Sequence, residues 1–518
     1  MVPSATFGYH ARRGRRFGCR GRGHGQRGLG CELGEAVPRT RATQCDTEVR
    51  GEDPGVQPVK TGDPLRQWLH PDGQRAEKLI MLKALNLRNI GPVAKLDLEF
   101  ADRLNLFTGD NGLGKSFLLD VAWWVLTRKW PHDLNGRLTS GYPARPADPK
   151  QKATVAFKLT GKARSVDYES AYDAREQSWV GRAGRPWNPG LVVYAHADGG
   201  FSVWDPARNY WRSKGGIDVQ DRLAGYVFAP KDVWDGLEVE VGGKTTRVCN
   251  GLLTDWAGWI RERGDTAKRM EAVVERLAPP GERFEVGALV RISVDDVRDI
   301  PSVRMPYAET VPILHASSGV RRVVGLAYML LWSWSEHVRA SELLGEEPTR
   351  QVVLLFDELE SHLHPRWQRT ILSSLLSIAT SLHDQAAIQL IAATHSPLIL
   401  ASAEPFFDST RDAWFDLDLE WKNVVLRRRD FVPRGDVSNW LTSEAFDLKC
   451  ARSLEAERAI EQARAVLREA APTRKAIDDA DAGLRKAGLP DIDPFWVRWG
   501  KFLERHRQDR RQRGGGDR

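Results

Sequence analysis

The stretch LNLFTGDNGLGKSFLL, Leu104 to Leu119, decides how the rest of the chain is read. An apolar run ends in a glycine-rich loop and resumes, after Lys115 and Ser116, with the apolar spacing of a helix. Gly109, Asp110, Asn111, Gly112, Leu113, Gly114, Lys115 and Ser116 have the spacing of a phosphate-binding loop. Glycines let successive backbone N–H groups wrap a phosphate chain closely, and the helix that follows presents its positive end to the same anion. In such a loop Lys115 reaches the β- and γ-phosphates and the Ser116 hydroxyl holds Mg²⁺.

Three further segments fit a phosphate site. In VVLLFDELESHLHP an apolar strand delivers Asp357 and Glu358 to its C-terminal end. Adjacent carboxylates there are costly to bury without a cation, so Asp357 is a candidate magnesium ligand and Glu358 a candidate to orient or deprotonate water. In IAATHSPLIL a second buried strand ends in Thr394 and His395, which places an imidazole within reach of a γ-phosphate. In HASSGVRRVVGLAYML, Ser317, Ser318 and Gly319 precede a helix and form a second candidate anion site. It can close on nucleotide held by another subunit. Glu360, His362 and His364 invite a metal reading, but packing of the segment after the acidic strand is the simpler expectation.

Two all-apolar strands separated by a helix imply a parallel sheet covered on both faces. Strands are also expected in LKALNLRNI, AKLDLEF, KATVAFKL, LVVYAHADGGFSVWD and RFEVGALVRISVDDV, and helices over 316–336, in HPRWQRTILSSLLSIATSLHD, and from Leu454 to about Gly488. The organisation read from these is a basic Gly/Arg-rich head (1–80), the first part of an α/β unit with the phosphate-binding loop (81–145), a mixed insert (146–305), the second part of that unit (306–440) and a helical C-terminal region with a basic tail (441–518). The head, lacking apolar periodicity, is expected to be disordered, or to precede a true start at Met81.

The 518 residues carry a net charge of +7. Residues 1–80 contribute +5 and residues 501–518 contribute +4, leaving −2 for the remainder. The core therefore advertises no nucleic-acid groove, although the tail RHRQDRRQRGGGDR can contact phosphates. A hydrophobic content of 41% and a mean hydropathy of −0.44, without a run of eighteen apolar residues, exclude an evident membrane span. Cys19, Cys31, Cys45, Cys249 and Cys450 make no metal or disulfide pattern, and a cytoplasmic protein with isolated thiols is expected.

In this order, GDNGLGKS, SSGVRR, DELESHLHP and ATHSP resemble the Walker A, signature, Walker B with D-loop, and switch-histidine motifs of ABC-type ATPase heads. The resemblance is closer to the SMC-, RecF- and OLD-like bacterial ATPases, and it covers about residues 81–130 and 310–405. It implies an α/β P-loop fold of the ABC/SMC-head type, with ATP and Mg²⁺ as cofactors. Lys115 and Ser116 would meet phosphate and magnesium, Asp357 magnesium, Glu358 would be the catalytic acid and His395 the γ-phosphate sensor. Ser317 and Gly319 would act across a homodimer. Ser318 and Val320 depart from the usual signature, and the Q-loop glutamine of the family has no assigned position.

SMC-type arms need long coiled coil between Lys115 and Ser317, where this chain has about 200 Trp/Gly/Pro-rich residues without heptads. After Ser402 no convincing acidic metal domain of the OLD nuclease kind is read. The expected role is an ATP-driven dimer acting on DNA in antiphage defence or DNA repair. A separate nuclease would be its partner, as in Septu-type systems. An ATP-gated scaffold with slow hydrolysis and a transporter-associated ATPase are the alternatives.

Overall fold

The computed structural model describes residues 81–513 apart from 161–164, 182–185, 282–284, 306–307 and 383–386. The expectations for residues 1–80, including the start at Met81 and the placing of Cys19, Cys31 and Cys45, lie outside the described residues.

The chain opens with strands β1 (Met81–Ile90), β2 (Val93–Glu99) and β3 (Leu104–Gly109) and helix α1 (Lys115–Thr127). Strands β4 (Thr154–Thr160), β5 (Ser165–Asp173), β6 (Ser178–Gly181), β7 (Leu191–Ala195), β8 (Phe201–Trp204) and β9 (Tyr226–Phe228) follow. Helices α2 (Leu252–Glu262), α3 (Asp265–Leu277) and α4 (Ser318–Leu344) precede β10 (Gln351–Phe356). After them come α5 (Ile371–Leu382), β11 (Ala387–Ala393), α6 (Pro397–Ala403), β12 (Asp412–Glu420) and β13 (Asn423–Arg429). Helices α7 (Leu454–Arg468), α8 (Arg474–Lys486) and α9 (Pro494–Arg513) end the described chain.

Two sheets organise the fold. The larger has the order β9-β8-β7-β10-β11-β3-β12-β13. Its five central strands run parallel, while β8, β9 and β13 pair antiparallel at the edges. The central strands β7 and β10 are buried throughout, as apolar strands covered on both faces must be. The smaller sheet is antiparallel, β2-β1-β4-β5-β6. Helix α1 and the smaller sheet share one core with one face of the large sheet, through Leu118, Trp123, Leu85 and Phe157. Helices α2 to α6 cover the opposite face.

A buried polar residue joins the two sheets. Gln389 on β11 accepts from Leu82 N (3.1 Å) and donates to the carbonyls of Leu82 and Ala101 (both 2.9 Å). Its amide thus takes up backbone groups that neither ladder satisfies.

Strands from the block 146–305, read from the sequence as an insert, stand in both sheets: β4 beside β1, and β7 directly beside β10. The stretch RFEVGALVRISVDDV departs from its strand reading. Among its described residues only Glu285–Val286 and an isolated bridge between Val290 and Ile300 are formed. Val294 and Val297 are 99% and 75% exposed, so the alternation there has no face to bury. The helix read over 316–336 continues to Leu344, where Gly345 (φ 68°) caps it in the left-handed conformation. The segment beginning HPRW divides into a short helix, Pro365–Gln368, and α5. The C-terminal helices α7 to α9 pack around their own core of Ile460, Leu484 and Trp499. Among the described residues no helix is long and apolar enough to cross a membrane.

Candidate active site

The strand register builds the site. Phe356 lies opposite Ala392 and Ala195, and Ala392 opposite Leu106. The residues that follow these positions, Asp357, Thr394, His196 and Gly109, therefore emerge at one edge of the parallel sheet, where open α/β sheets bind their ligands.

The loop after β3 is shaped by its glycines. Gly109, Gly112 and Gly114 have φ of 130°, 80° and 101°. A Cβ on Gly109 would sit 2.2 Å from the Leu417 carbonyl oxygen, so no other residue fits against β12 there. Helix α1 starts directly after Gly114, with Asp110, Asn111, Gly112 and Ser116 exposed and Leu113 anchored in the core. Lys115 Nζ is buried and bonds the loop's own carbonyls at Gly109 (2.7 Å) and Asp110 (2.8 Å). Burial pulls its pKa down, opposed by Asp357 and Asp110.

Asp357 faces this lysine from β10. Its carboxylate is 3% exposed, and burial pushes its pKa up to about 6, opposed by a hydrogen bond from Ser116. Its Oδ1 is buried without a hydrogen-bond partner. A buried, unpaired carboxylate oxygen beside a serine hydroxyl is a donor set suited to a hard divalent cation, so Asp357 and Ser116 fit Mg²⁺. Glu358 is half-buried with φ of 49°, a left-handed conformation rare outside glycine and one that functional sites retain at a cost.

His395 is half-buried at the end of β11, its pKa drawn down by burial and by Lys115. Its backbone N–H donates to Glu360 Oε1 (2.5 Å), and the Thr394 hydroxyl donates to Glu360 Oε2 (2.6 Å). Glu360 is thereby occupied. His362 and His364 are exposed, and His364 accepts from Arg366 N (3.3 Å) to cap a short helix. Among the described residues no group of three His, Cys, Asp or Glu side chains is arranged to hold a metal. Asp416 and Asp418 on β12 pair with Arg429 and Arg427.

Ser317 caps α4 by accepting from Val320 N (3.3 Å), and Ser317 and Ser318 are exposed. Gly319 packs on the segment after the acidic strand, so the start of α4 and that segment meet within one chain. No hydrogen bond joins Ser317 or Gly319 to the phosphate loop among the described residues.

Four residues around this edge escaped the sequence reading. Tyr194 donates its hydroxyl to Asp120 (2.9 Å), one turn beyond Ser116, and burial pushes Asp120 to about 8. His196, at the end of β7 and beside Asp357, is fully buried between Ser140 (3.1 Å) and Ser202 (2.8 Å). Burial pulls its pKa down to about 3. Arg322, on the second turn of α4, donates to the His196 carbonyl (2.7 Å), and its Nη1 is buried without a partner. The signal for His196 was its place after an apolar strand, the same cue that marked His395.

Two family models match the sequence. Residues 84–179 match an AAA domain, and residues 268–401 match the AAA domain described as a putative AbiEii toxin of a type IV toxin–antitoxin system. A retron Vc95 probable ATPase from Vibrio cholerae serotype O1 biovar El Tor is 27% identical over 125 residues, 22% of either chain. The chain thus matches about a fifth of that relative's length. Similar solved structures include the SMC head domain from Thermotoga maritima, at 16% identity and a TM-score of 0.33, covering 67% of this chain and 99% of that one. The recombination mediator protein RecF-ATPrS of the RecFOR pathway aligns at 13% identity and a TM-score of 0.33, covering 68% and 100%. Two separate parts of the chain are thus similar to AAA domains, and the first of them carries the phosphate loop on the parallel sheet of an α/β P-loop fold.

Proposed function

We propose that this chain binds and hydrolyses ATP, dimerises around the nucleotide, and acts on DNA together with a separate nuclease in bacterial defence or DNA repair. The observation that carries hydrolysis is the convergence of Lys115, Ser116, Asp357 and Glu358 at one sheet edge, with Asp357 buried and half-satisfied. The partial likeness to a retron ATPase supports the defence setting.

In this reading the loop N–H groups and Lys115 hold the phosphates. Lys115 exchanges its bonds to the Gly109 and Asp110 carbonyls for phosphate oxygens. Asp357 and Ser116 would hold Mg²⁺, which would supply neutralising charge to the phosphates. Glu358 orients the attacking water and accepts its proton, and His395 contacts the γ-phosphate. Ser317 and Gly319 close the site of a second copy.

Lys115→Ala is expected to lose ATP binding. Glu358→Gln is expected to abolish turnover yet trap an ATP-bound dimer, seen as a doubled mass in solution with ATP. Wild-type protein that shows no ATPase activity with any DNA form or nuclease partner would overturn the enzymatic reading.

A further inference from the structure

Between the acidic strand end and the switch strand end runs a set of contacts centred on Glu360. The carboxylate accepts from both His395 N and the Thr394 hydroxyl. Leu359 N donates to the Ala393 carbonyl (3.2 Å). Gln368, a little further on, donates to the Leu363 carbonyl (2.8 Å) and accepts from the Ser396 hydroxyl (2.7 Å). Residues 359–368 are thus tied to each of positions 393 to 396, while Glu358 stands at the head of the same segment in its bent conformation.

We propose that Glu360 is a positioning residue that locks His395 to the acidic strand end, so that Glu358 and His395 approach the γ-phosphate as one unit. The inference rests on the reading of this site as an ATPase. Charge-assisted bonds to a backbone N–H and a hydroxyl are among the stronger polar contacts. A carboxylate holding both restrains the peptide preceding the imidazole as well as the one bearing it. The Thr394 side chain is fully buried, and its hydroxyl also accepts from Ser396 N (3.0 Å), which holds that end of the brace in place. Two residues beyond Glu360, the His362 carbonyl packs on Gly319 at the start of α4.

The test is steady-state ATP hydrolysis and equilibrium ATP binding with full-length Glu360→Ala, Thr394→Val and Thr394→Ser. Glu360→Ala and Thr394→Val are expected to lower kcat by about 10- to 100-fold, the penalty of misplacing groups at a reacting centre, with KM and the ATP dissociation constant within about twofold. Thr394→Ser keeps the hydroxyl and is expected to recover most of the lost turnover. Should Glu360→Ala fail to fold, the Val and Ser pair at position 394 decides alone. A kcat within twofold of wild type in Thr394→Val, or an equal loss in Thr394→Ser, overturns the proposal. Absence of hydrolysis by the wild type instead defeats the ATPase reading, so the two failures are distinct.

Discussion

A Cβ on Gly319 would lie 2.8 Å from the carbonyl oxygen of His362, which presses the start of α4 against the segment after the acidic strand. The obstructing atom is backbone and cannot rotate away as a side chain would. Gly319→Ala is therefore expected to cost about 1–3 kcal/mol, the usual penalty of overpacking a fitted contact. The neighbouring Ser318→Ala, at an exposed position, is expected to stay within about 0.5 kcal/mol. Urea denaturation of the two variants checks the difference, and equal midpoints would show that the contact is not tight.

Asp357 makes a prediction that changes sign with magnesium. Its folded pKa of about 6 stands above the ordinary carboxylate value. The native state then holds the proton more tightly, and stability is lost as pH rises from about 4 to about 6. With EDTA at pH 7.5, Asp357→Asn removes that cost and is expected to melt a few degrees higher than wild type, on the order of 2–4 °C. With magnesium and ATP the order reverses, because only the wild type gains the full binding free energy. Thermal melts in the two buffers measure this, and a variant less stable in both buffers defeats the account.

The parts of the fold visible in the sequence are those whose chemistry is local. A six-residue strand, a glycine loop and a helix are contiguous from Leu104 to Thr127. The ends of β10 and β11 announce themselves because a mostly apolar strand that stops at Asp-Glu or Thr-His has one end for polar groups. Tyr194 with Asp120, and Arg322 with His196, meet across 74 and 126 residues, and no periodicity encodes that distance. The antiparallel edges β8, β9 and β13 were equally hidden, since alternation marks a strand and leaves its neighbour unstated. Arg291–Val294 alternates too, yet stays out of every sheet, with Val294 left 99% exposed.

His196 predicts an acid-side loss of stability. Burial, reinforced by Arg322 and opposed by Asp198, pulls its folded pKa to about 3, below the ordinary histidine value. As pH falls below about 6.5 the unfolded chain takes up a proton that the native imidazole refuses. Stability contributed by this site is then lost at up to about 1.4 kcal/mol per pH unit. His196→Gln, which cannot charge, is expected to flatten the fall between pH 6.5 and pH 4.5. Denaturant midpoints at intervals across that window check it, and parallel curves for the two proteins would remove His196 as the cause.

Arg322 predicts a penalty in the opposite range. Its Nη2 is spent on the His196 carbonyl, its Nη1 is buried and unpartnered, and Asp198, Asp357 and Glu358 supply the surrounding negative charge. Gly199 leaves room for it, since a Cβ there would come within 3.3 Å of Nη1. Arg322→Met keeps an apolar stem on α4 and removes the cation, leaving those carboxylates less compensated. Loss of one partner from a buried set of charges costs about 3 kcal/mol. Asp357 passes its pKa of about 6 between pH 5 and pH 7.5, so the cost is expected to be larger at the higher pH. Chemical denaturation of wild type and Arg322→Met at both pH values, in EDTA, separates this from simple loss of packing. A packing loss would be the same at pH 5 and pH 7.5, whereas the charge account requires the gap between the two proteins to widen as the pH rises.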